Sequence, residues 1–165
     1  MFFKGEVYRA LNPLYAREPR SGRGAALYGG RFNNQGIPAL YTSLSIVTAI
    51  REANQVGSLQ PTTLVAYRAD IERVFDSRDD ATLAAYGLDS TALADPTWRD
   101  QMKSNGEAKT QAFARRLIAD GHQGLIVRSF ARGASDDDLN LVLWRWGDDA
   151  PSTLTVIDDE NRLSR

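Results

Sequence analysis

The sequence predicts an α+β domain in which helices flank a mixed or antiparallel central sheet. Its predicted strands come in runs with two or three helices between them, whereas a doubly wound α/β fold alternates strand and helix along the chain. The 165 residues, 42% of them hydrophobic, are enough for the core of one domain. We therefore expect residues 1–165 to form one domain whose core spans roughly residues 5–147.

The N-terminal part of the chain is predicted to hold two strands separated by a long loop. Gly5–Ala10 is expected as the first strand and Pro38–Thr42 as a short second one. Between them, residues 12–36 are rich in glycine and charged residues. Because a loop of this length inside a compact domain is usually functional or disordered, this segment is a candidate part of a site.

A helix is predicted directly after the second strand. Ser43 or Ser45 can cap it, and it runs from about Ile46 to Val56. Glu52 falls at the edge of the apolar face, while Arg51 points nearly the opposite way. The apolar residues recur at helical spacing and predict one buried stripe, formed by Ile46, Ala49, Ile50, Ala53 and Val56.

The second half of the chain is predicted to complete the sheet and its helices. A strand is expected at Thr62–Ala69, a short helix at Asp79–Tyr86 and a helix start at Asp95-Pro96. The clearest helix spans roughly Glu107–Asp120, with Gly121 as its C-cap. Further strands are expected at Gly124–Arg128, Leu139–Trp146 and Thr153–Ile157.

Composition excludes several classes of function. A net charge of -1 and a pI near 5.8 argue against a protein that binds a nucleic-acid backbone directly. Cysteine is absent and His122 is the single histidine, so a Cys/His zinc site is excluded and we expect no metal. Neither a secretory signal nor a membrane span is visible, so we expect a cytoplasmic protein without membrane contact.

Other conspicuous residues have structural interpretations. His122 follows a helix C-cap glycine, where a cation suits the helix dipole. Asp136–Asp138 is expected to be a solvated acidic loop. Trp144 and Trp146 are expected on one strand face, in the core or at an interface. A solvated loop, or contact with a partner or nucleotide, is predicted for Arg17, Arg20 and Arg23.

The most informative segment covers residues 29–52. The glycine pair before Arg31 lets the backbone turn sharply and approach a ligand closely, and the arginine offers a fork of donors suited to a diphosphate. Tyr41 ends the next strand, and Glu52 lies in the helix that follows. Each residue alone would be unremarkable in a surface or core position, but together they place an anion receptor, an aromatic surface and a single acid close in sequence.

This combination resembles the RES domain, a family named for an Arg, a Glu and a Ser and found in toxins of RES–Xre toxin–antitoxin pairs. The resemblance extends from Tyr8 to Trp146 with its parts in the expected order, although Phe32 stands where many relatives carry Trp. It implies a fold similar to ADP-ribosyltransferases of the diphtheria-toxin type. The matching motifs are Tyr8-Arg9, Gly30-Arg31-Phe32-Asn33 with Gly36, Ala39-Leu40-Tyr41, Ala49 with Glu52, Gly121-x-x-Gly124 running to Ser129, and Asn140-Leu141-Val142-Leu143.

The resemblance also implies NAD as the substrate and gives roles to individual residues. Glu52, Arg31 and Tyr41 would be catalytic, and Arg31, Tyr41, Ser129 and Arg9 would contact the dinucleotide. Cleavage of the nicotinamide–ribose bond builds positive charge on the ribose, which one well-placed carboxylate can stabilise. Nicotinamide leaves as a neutral group, so the reaction needs no general acid.

Several functions stay open at this point. ADP-ribose could pass to a protein acceptor, which defines a mono-ADP-ribosyltransferase, or to phosphate or water, which defines an NAD phosphorylase or glycohydrolase. An RNA-cleaving toxin and a non-catalytic binding module are the other candidates, and the near-neutral charge counts against the first of them. The resemblance implies a partner too: an Xre-like antitoxin that carries the DNA binding and occludes the pocket.

Overall fold

A seven-stranded sheet forms the centre of the molecule. The computed structural model describes residues 1–55 and 57–164. The strands are β1 (Phe3–Leu11), β2 (Leu40–Ser43), β3 (Thr63–Ile71), β4 (Val74–Asp76), β5 (Gly124–Arg128), β6 (Leu139–Leu143) and β7 (Ser152–Val156). Their spatial order is β4-β5-β6-β2-β1-β3-β7, and among the described strands only the β4–β5 pair is parallel. This mixed sheet with separate helices confirms the predicted α+β class.

The described residues form six α-helices, whose ends follow from local chemistry. The Ser45 hydroxyl accepts from the backbone N–H of Thr48 and so caps the helix that carries Glu52. The last helix ends where Gly121, at φ +91°, turns the chain away. The helices are α1 (Arg23–Tyr28), α2 (Ile46–Ala53), α3 (Asp80–Ala84), α4 (Ser90–Ala94), α5 (Trp98–Asn105) and α6 (Lys109–Ala119). Within the described residues, none of these helices is long and apolar enough to cross a bilayer.

Apolar side chains pack on both faces of the sheet. Because neighbouring side chains of a strand point to opposite faces, Leu125 and Val127 of β5 pack in a first core and Ile126 packs in a second. The first core includes Phe113 and Leu117 of α6, so the helices cover this face. Tyr41 of β2 lies against the same core, which places the predicted site on the helix-covered face.

The structure differs from the predicted elements in three ways, two of which are additional elements and one of which is a later helix start. The expected loop at residues 12–36 contains α1, which is bounded by Gly22 and Gly29. Strand β4 and helix α4 are additional elements that the sequence pattern does not predict. The helix expected from Asp95-Pro96 begins only at Trp98. The Asp95 carboxylate accepts from the backbone N–H and the hydroxyl of Thr97, and so stabilises a turn that precedes the helix.

The C-terminal part of the strand predicted at Leu139–Trp146 is not in the sheet. Strand β6 stops at Leu143, since the next two backbone N–H groups both donate to the carbonyl of Gln123. The indole of Trp144 belongs to the first core and donates to Phe32 O at 2.8 Å, whereas that of Trp146 packs against the second core. The expectation that the two indoles share one face is therefore wrong.

The predicted buried stripe of α2 is also wrong in part. Ile46 and Ile50 are exposed, while Thr48 and Ala49 are the buried residues of this helix. The helix packs on β1 through its small side chains, and the Thr48 hydroxyl bonds to a carboxylate of the β5–β6 loop. The predicted end of the helix at Val56 lies outside the described residues.

Candidate active site

Arg31 lies in a tight turn that leads from α1 into β2. Gly30 and Asn33 exchange backbone hydrogen bonds of 3.0 and 3.3 Å across this turn. A Cβ at Gly30 would stand 2.4 Å from the Tyr41 hydroxyl, so only glycine allows the turn to pack this closely. The glycine that the sequence analysis singled out thus serves a close approach of the backbone.

Buried amide side chains hold the turn in place. The Asn33 Nδ2 group donates to the carbonyls of Ala25 at 2.8 Å and Ile37 at 2.9 Å. From α6, the Gln111 Nε2 group donates to the carbonyls of Gly30 at 3.0 Å and Asn33 at 3.1 Å. Both amides are fully buried, so these bonds are shielded from water and fix the backbone around Arg31.

The Arg31 guanidinium is held by backbone carbonyls and aromatic rings. Its Nη1 atom donates to Leu93 O at 3.0 Å and Asp95 O at 2.8 Å, both at the C-terminal end of α4. Its Cζ lies 4.8 Å from the ring centroid of Phe130 and 5.9 Å from that of Trp98. Burial lowers the pKa of this guanidinium, yet arginine stays cationic at neutral pH. Donors on Nε and Nη2 are the ones suited to a ligand.

Tyr41 supports the turn through its hydroxyl. This hydroxyl donates to Asn33 Oδ1 at 2.6 Å and accepts from the backbone N–H of Phe32 at 3.0 Å. Burial raises the pKa of the phenol well above its ordinary value, so the group is neutral at physiological pH. The hydroxyl is therefore a structural group, and the ring is the part of Tyr41 that can contact a ligand.

Glu52 is held by neutral donors on both carboxylate oxygens. Its Oε1 accepts from the Ser129 hydroxyl and from Asn140 Nδ2 at 2.8 Å. Its Oε2 accepts from Nε2 of Gln55, one helical turn further along, at 2.8 Å. Asn140 in turn accepts at Oδ1 from the Ser43 hydroxyl at 2.7 Å. The carboxylate is thus oriented by α2, β6 and the end of β5 together.

A charged cluster outside the pocket clamps the helix that bears Glu52. Asp138 accepts from the Thr48 hydroxyl at 2.7 Å and pairs with Arg51 at 2.9 Å. The pKa of Asp138 is lowered, first by the backbone N–H of Ser135 and then by Thr48. The expectation of a solvated loop fits Asp136 and Asp137, which are exposed, and is wrong for Asp138.

A cavity of about 270 Å³ joins three of the predicted site residues. Arg31, Tyr41 and Glu52 line it together with Asn140 and the aromatic rings of Trp98 and Phe130. A second cavity of about 240 Å³ lies on the other side of Tyr41 and Glu52, between β1 and α2. We call these the site cavity and the side cavity. Glu52 is therefore reachable from two directions.

The remaining predicted residues take different places. Ser129 is buried and contacts Glu52 directly through its hydroxyl. Arg9 lines only the side cavity, and its guanidinium donates to Pro19 O at 2.9 Å, the carbonyl that also accepts from the Tyr67 hydroxyl. The structure thus groups Arg31, Tyr41, Glu52 and Ser129 and gives the guanidinium of Arg9 a loop to anchor.

Sequence reasoning missed the residues that hold the site rather than line it. Asn140 stands in the motif that the resemblance matched, but only as part of a core strand. Gln111 is a polar residue among the buried residues of α6, in the helix that the sequence predicts at roughly Glu107–Asp120. His122 lies elsewhere, edge-on to Phe75 at 5.5 Å, and burial lowers the pKa of its imidazole. Among the described residues no cluster of His, Asp or Glu could hold a metal ion.

The fold and the site define an α+β protein with a cleft that pairs a partly buried arginine with an oriented carboxylate. The profile of the RES domain family matches residues 6–165, so the chain belongs to the RES domain family. It is also similar to the protein "Toxin Res" of Photorhabdus laumondii subsp. laumondii, at 44% identity over 46 residues. That alignment covers 28% of this chain and 30% of the relative.

Proposed function

We propose that this protein is the toxin of a toxin–antitoxin pair and that it binds NAD and cleaves its nicotinamide–ribose bond. ADP-ribose would then pass to a protein acceptor, and the loss of target function would arrest growth. The family membership and the name of the Photorhabdus relative support the toxin assignment. The proposed partner is an Xre-like antitoxin that covers the site cavity in the cytoplasm.

The observation that carries the proposal is one cavity with an oriented carboxylate and a cation. An oxocarbenium-like ribose needs a negative group close to its hydroxyls. Glu52 would supply it, since Ser129 and Asn140 hold its carboxylate at the site cavity. A diphosphate needs positive charge, and Arg31 supplies it from the same cavity. Fixed groups need no reorganisation when the charge develops, which is the source of their catalytic effect.

The other residues have supporting roles in this proposal. The rings of Tyr41, Trp98 and Phe130 line the site cavity and offer surfaces on which nicotinamide or ribose can pack. Ser129 positions Glu52 through its hydroxyl. Arg9 was expected to contact NAD, but its guanidinium is bonded to Pro19, so we give it no part in substrate binding.

One observation favours a second acceptor. The side cavity also reaches Glu52 and Tyr41, but it is lined by β1 and α2 and not by Trp98 and Phe130. A small nucleophile such as phosphate or water could approach the ribose by this route while the dinucleotide fills the site cavity. This supports an NAD phosphorylase or glycohydrolase as the alternative to protein transfer.

Labelled NAD distinguishes these possibilities. We expect the purified full chain to release nicotinamide, and Glu52→Gln to lose about 100-fold or more of the rate, since one transition-state contact contributes about 3–4 kcal/mol. Glu160→Gln, an exposed carboxylate paired with Arg162, is the matched control and should keep wild-type activity. Adenylate label in protein bands indicates transfer, whereas free or phosphorylated ADP-ribose indicates degradation. Intact NAD with the wild type would refute the proposal.

A further inference from the structure

We infer that Asn140 is a positioning residue for Glu52, and that Ser43 supports Asn140 from the opposite side of its amide. The inference rests on the proposed function, in which the carboxylate of Glu52 stabilises the ribose cation. The contacts are direct: Asn140 Nδ2 donates to Glu52 Oε1 at 2.8 Å, and the Ser43 hydroxyl donates to Asn140 Oδ1 at 2.7 Å. Asn140 acts through Glu52.

The orientation of the amide follows from its two neighbours. A carboxylate can only accept hydrogen bonds, so it requires the NH₂ side of Asn140. A hydroxyl can donate to the amide oxygen, and Ser43 does so from the opposite side. With the amide reversed, its oxygen would face the carboxylate of Glu52, an arrangement without a hydrogen bond. Glu52 therefore selects the orientation of Asn140, and the Ser43 hydroxyl, which can donate or accept, supports that orientation by donating to Oδ1.

The sheet makes this arrangement rigid. Ser43 of β2 and Asn140 of β6 are directly opposed in the antiparallel ladder, so their side chains stand on the same face at short distance. Ser43 is buried. A group that is fixed by two paired strands can hold a helix-borne carboxylate more tightly than a group on a loop can.

The two oxygens of Glu52 differ as a result. Oε1 accepts from Ser129 and Asn140, both on the sheet side of the site. Oε2 is bonded to Gln55, whose side chain is exposed and can give way to a ligand. We assign Oε2 to the ribose hydroxyl and Oε1 to orientation.

Asn140→Asp tests this role, because it keeps the shape and replaces the donor by a second carboxylate. Two carboxylates at this distance share a proton, so the pKa of the pair rises. We expect the acid limb of kcat to move up by more than about one pH unit, kcat at pH 7 to fall about tenfold or more, and KM to change less than about threefold. Other titratable side chains that line the two cavities with Glu52 are Arg31, Arg99, Arg128, Tyr41, Tyr8 and Arg9.

Asn34→Asp is the matched control. Its Nδ2 donates to Glu107 Oε2 at 2.6 Å, so the substitution also opposes two carboxylates, but away from Glu52. The pH profile of this variant should coincide with that of the wild type. An unshifted acid limb in Asn140→Asp, or an equal shift in Asn34→Asp, overturns the inference. Asn140→Ala and Ser43→Ala should both lower kcat, and the loss should be smaller for Ser43→Ala. If these variants change only KM and leave kcat at the wild-type value, the positioning role is contradicted.

A measurement without turnover separates this inference from the proposed function. The carboxyl carbon of Glu52 can be titrated by NMR in wild type and Asn140→Asp, with thermal melts to show that both variants fold. A raised pKa of the Glu52 carboxyl in Asn140→Asp supports the contact even if the protein leaves NAD intact, in which case only the proposed function fails. An unchanged pKa alongside normal NAD cleavage refutes the role of Asn140 alone.

Discussion

Replacing Tyr41 by Phe removes one oxygen and leaves the ring that lines the site cavity. That oxygen accepts from the Phe32 backbone N–H and donates to Asn33 Oδ1. Both partners belong to the turn that carries Arg31, and both residues are buried. The substitution therefore separates the two roles that the ring and the hydroxyl of Tyr41 can have.

The magnitude follows from the groups left without a partner. A buried donor or acceptor that loses its hydrogen bond costs about 1–3 kcal/mol. Here one of each is orphaned, so the free energy of unfolding should fall by about 2–6 kcal/mol. Because the ring stays, ligand stacking is kept. Because the turn is less tightly held, the Arg31 side chain should occupy a wider range of positions. KM for NAD should then rise by about fivefold to fiftyfold, with a smaller change in kcat.

Urea unfolding and steady-state kinetics measure the two effects. Tyr67→Phe is the control: its hydroxyl donates to Pro19 O at 2.6 Å, and this buried residue lines neither the site cavity nor the side cavity. It should lose about 1 kcal/mol of stability and keep its activity. If the urea midpoint of Tyr41→Phe equals that of the wild type, or if kcat falls while KM is unchanged, then the Tyr41 hydroxyl does not hold the turn.

Two further predictions concern the turn and the clamp. Gly30→Ala should lower stability by more than about 2 kcal/mol and weaken NAD binding, since its Cβ would stand 2.4 Å from the Tyr41 hydroxyl; Gly24→Ala, whose Cβ would meet nothing within 4 Å, is the control, and equal melting temperatures would contradict the packing. Acid should destabilise the fold through Asp138, whose pKa is lowered in the folded state. A depressed carboxyl pKa gives stability that is present above the unfolded pKa and is lost as the pH falls through the folded one. Asp138→Asn should therefore be less stable than wild type at pH 7, and its free energy of unfolding should change less as the pH falls. Urea unfolding from pH 7 to 2 measures this, and an equal pH dependence in the two proteins would contradict the prediction.

Sequence patterns predicted the strands that are buried on both faces. Strand β5 falls on the predicted residues Gly124–Arg128, because a short apolar run between turn residues has few other structures open to it. The face of α2 could not be predicted in this way. An amphipathic period shows that a stripe exists, but not which element covers it, and Ile46 and Ile50 in fact face outward.

The candidate site likewise has one part that the sequence predicted and one part that it did not. Arg31, Tyr41 and Glu52 lie close in sequence, so one motif could suggest all three. Asn140 and Gln111 act from 88 and 81 residues away, on Glu52 and Gly30 respectively. Their roles depend on strand register and on how α6 docks, and no local pattern contains this information.

The hydrogen-bond partners of Arg31 and Glu52 leave both charges available to the ligand that we propose. Within residues 1–55 and 57–164, Arg31 is held by carbonyl oxygens and rings, not by a carboxylate, so no ion pair in this part of the chain neutralises its charge. In the same part of the chain, Glu52 is held by a hydroxyl and two amides, not by a guanidinium. Arg51, its neighbour in sequence, is paired instead with Asp138 outside the site cavity. A direct ion pair to Glu52 would reduce the negative charge offered to a developing ribose cation. Neutral donors fix the same geometry and leave that charge intact, which is the arrangement an electrostatic catalyst requires.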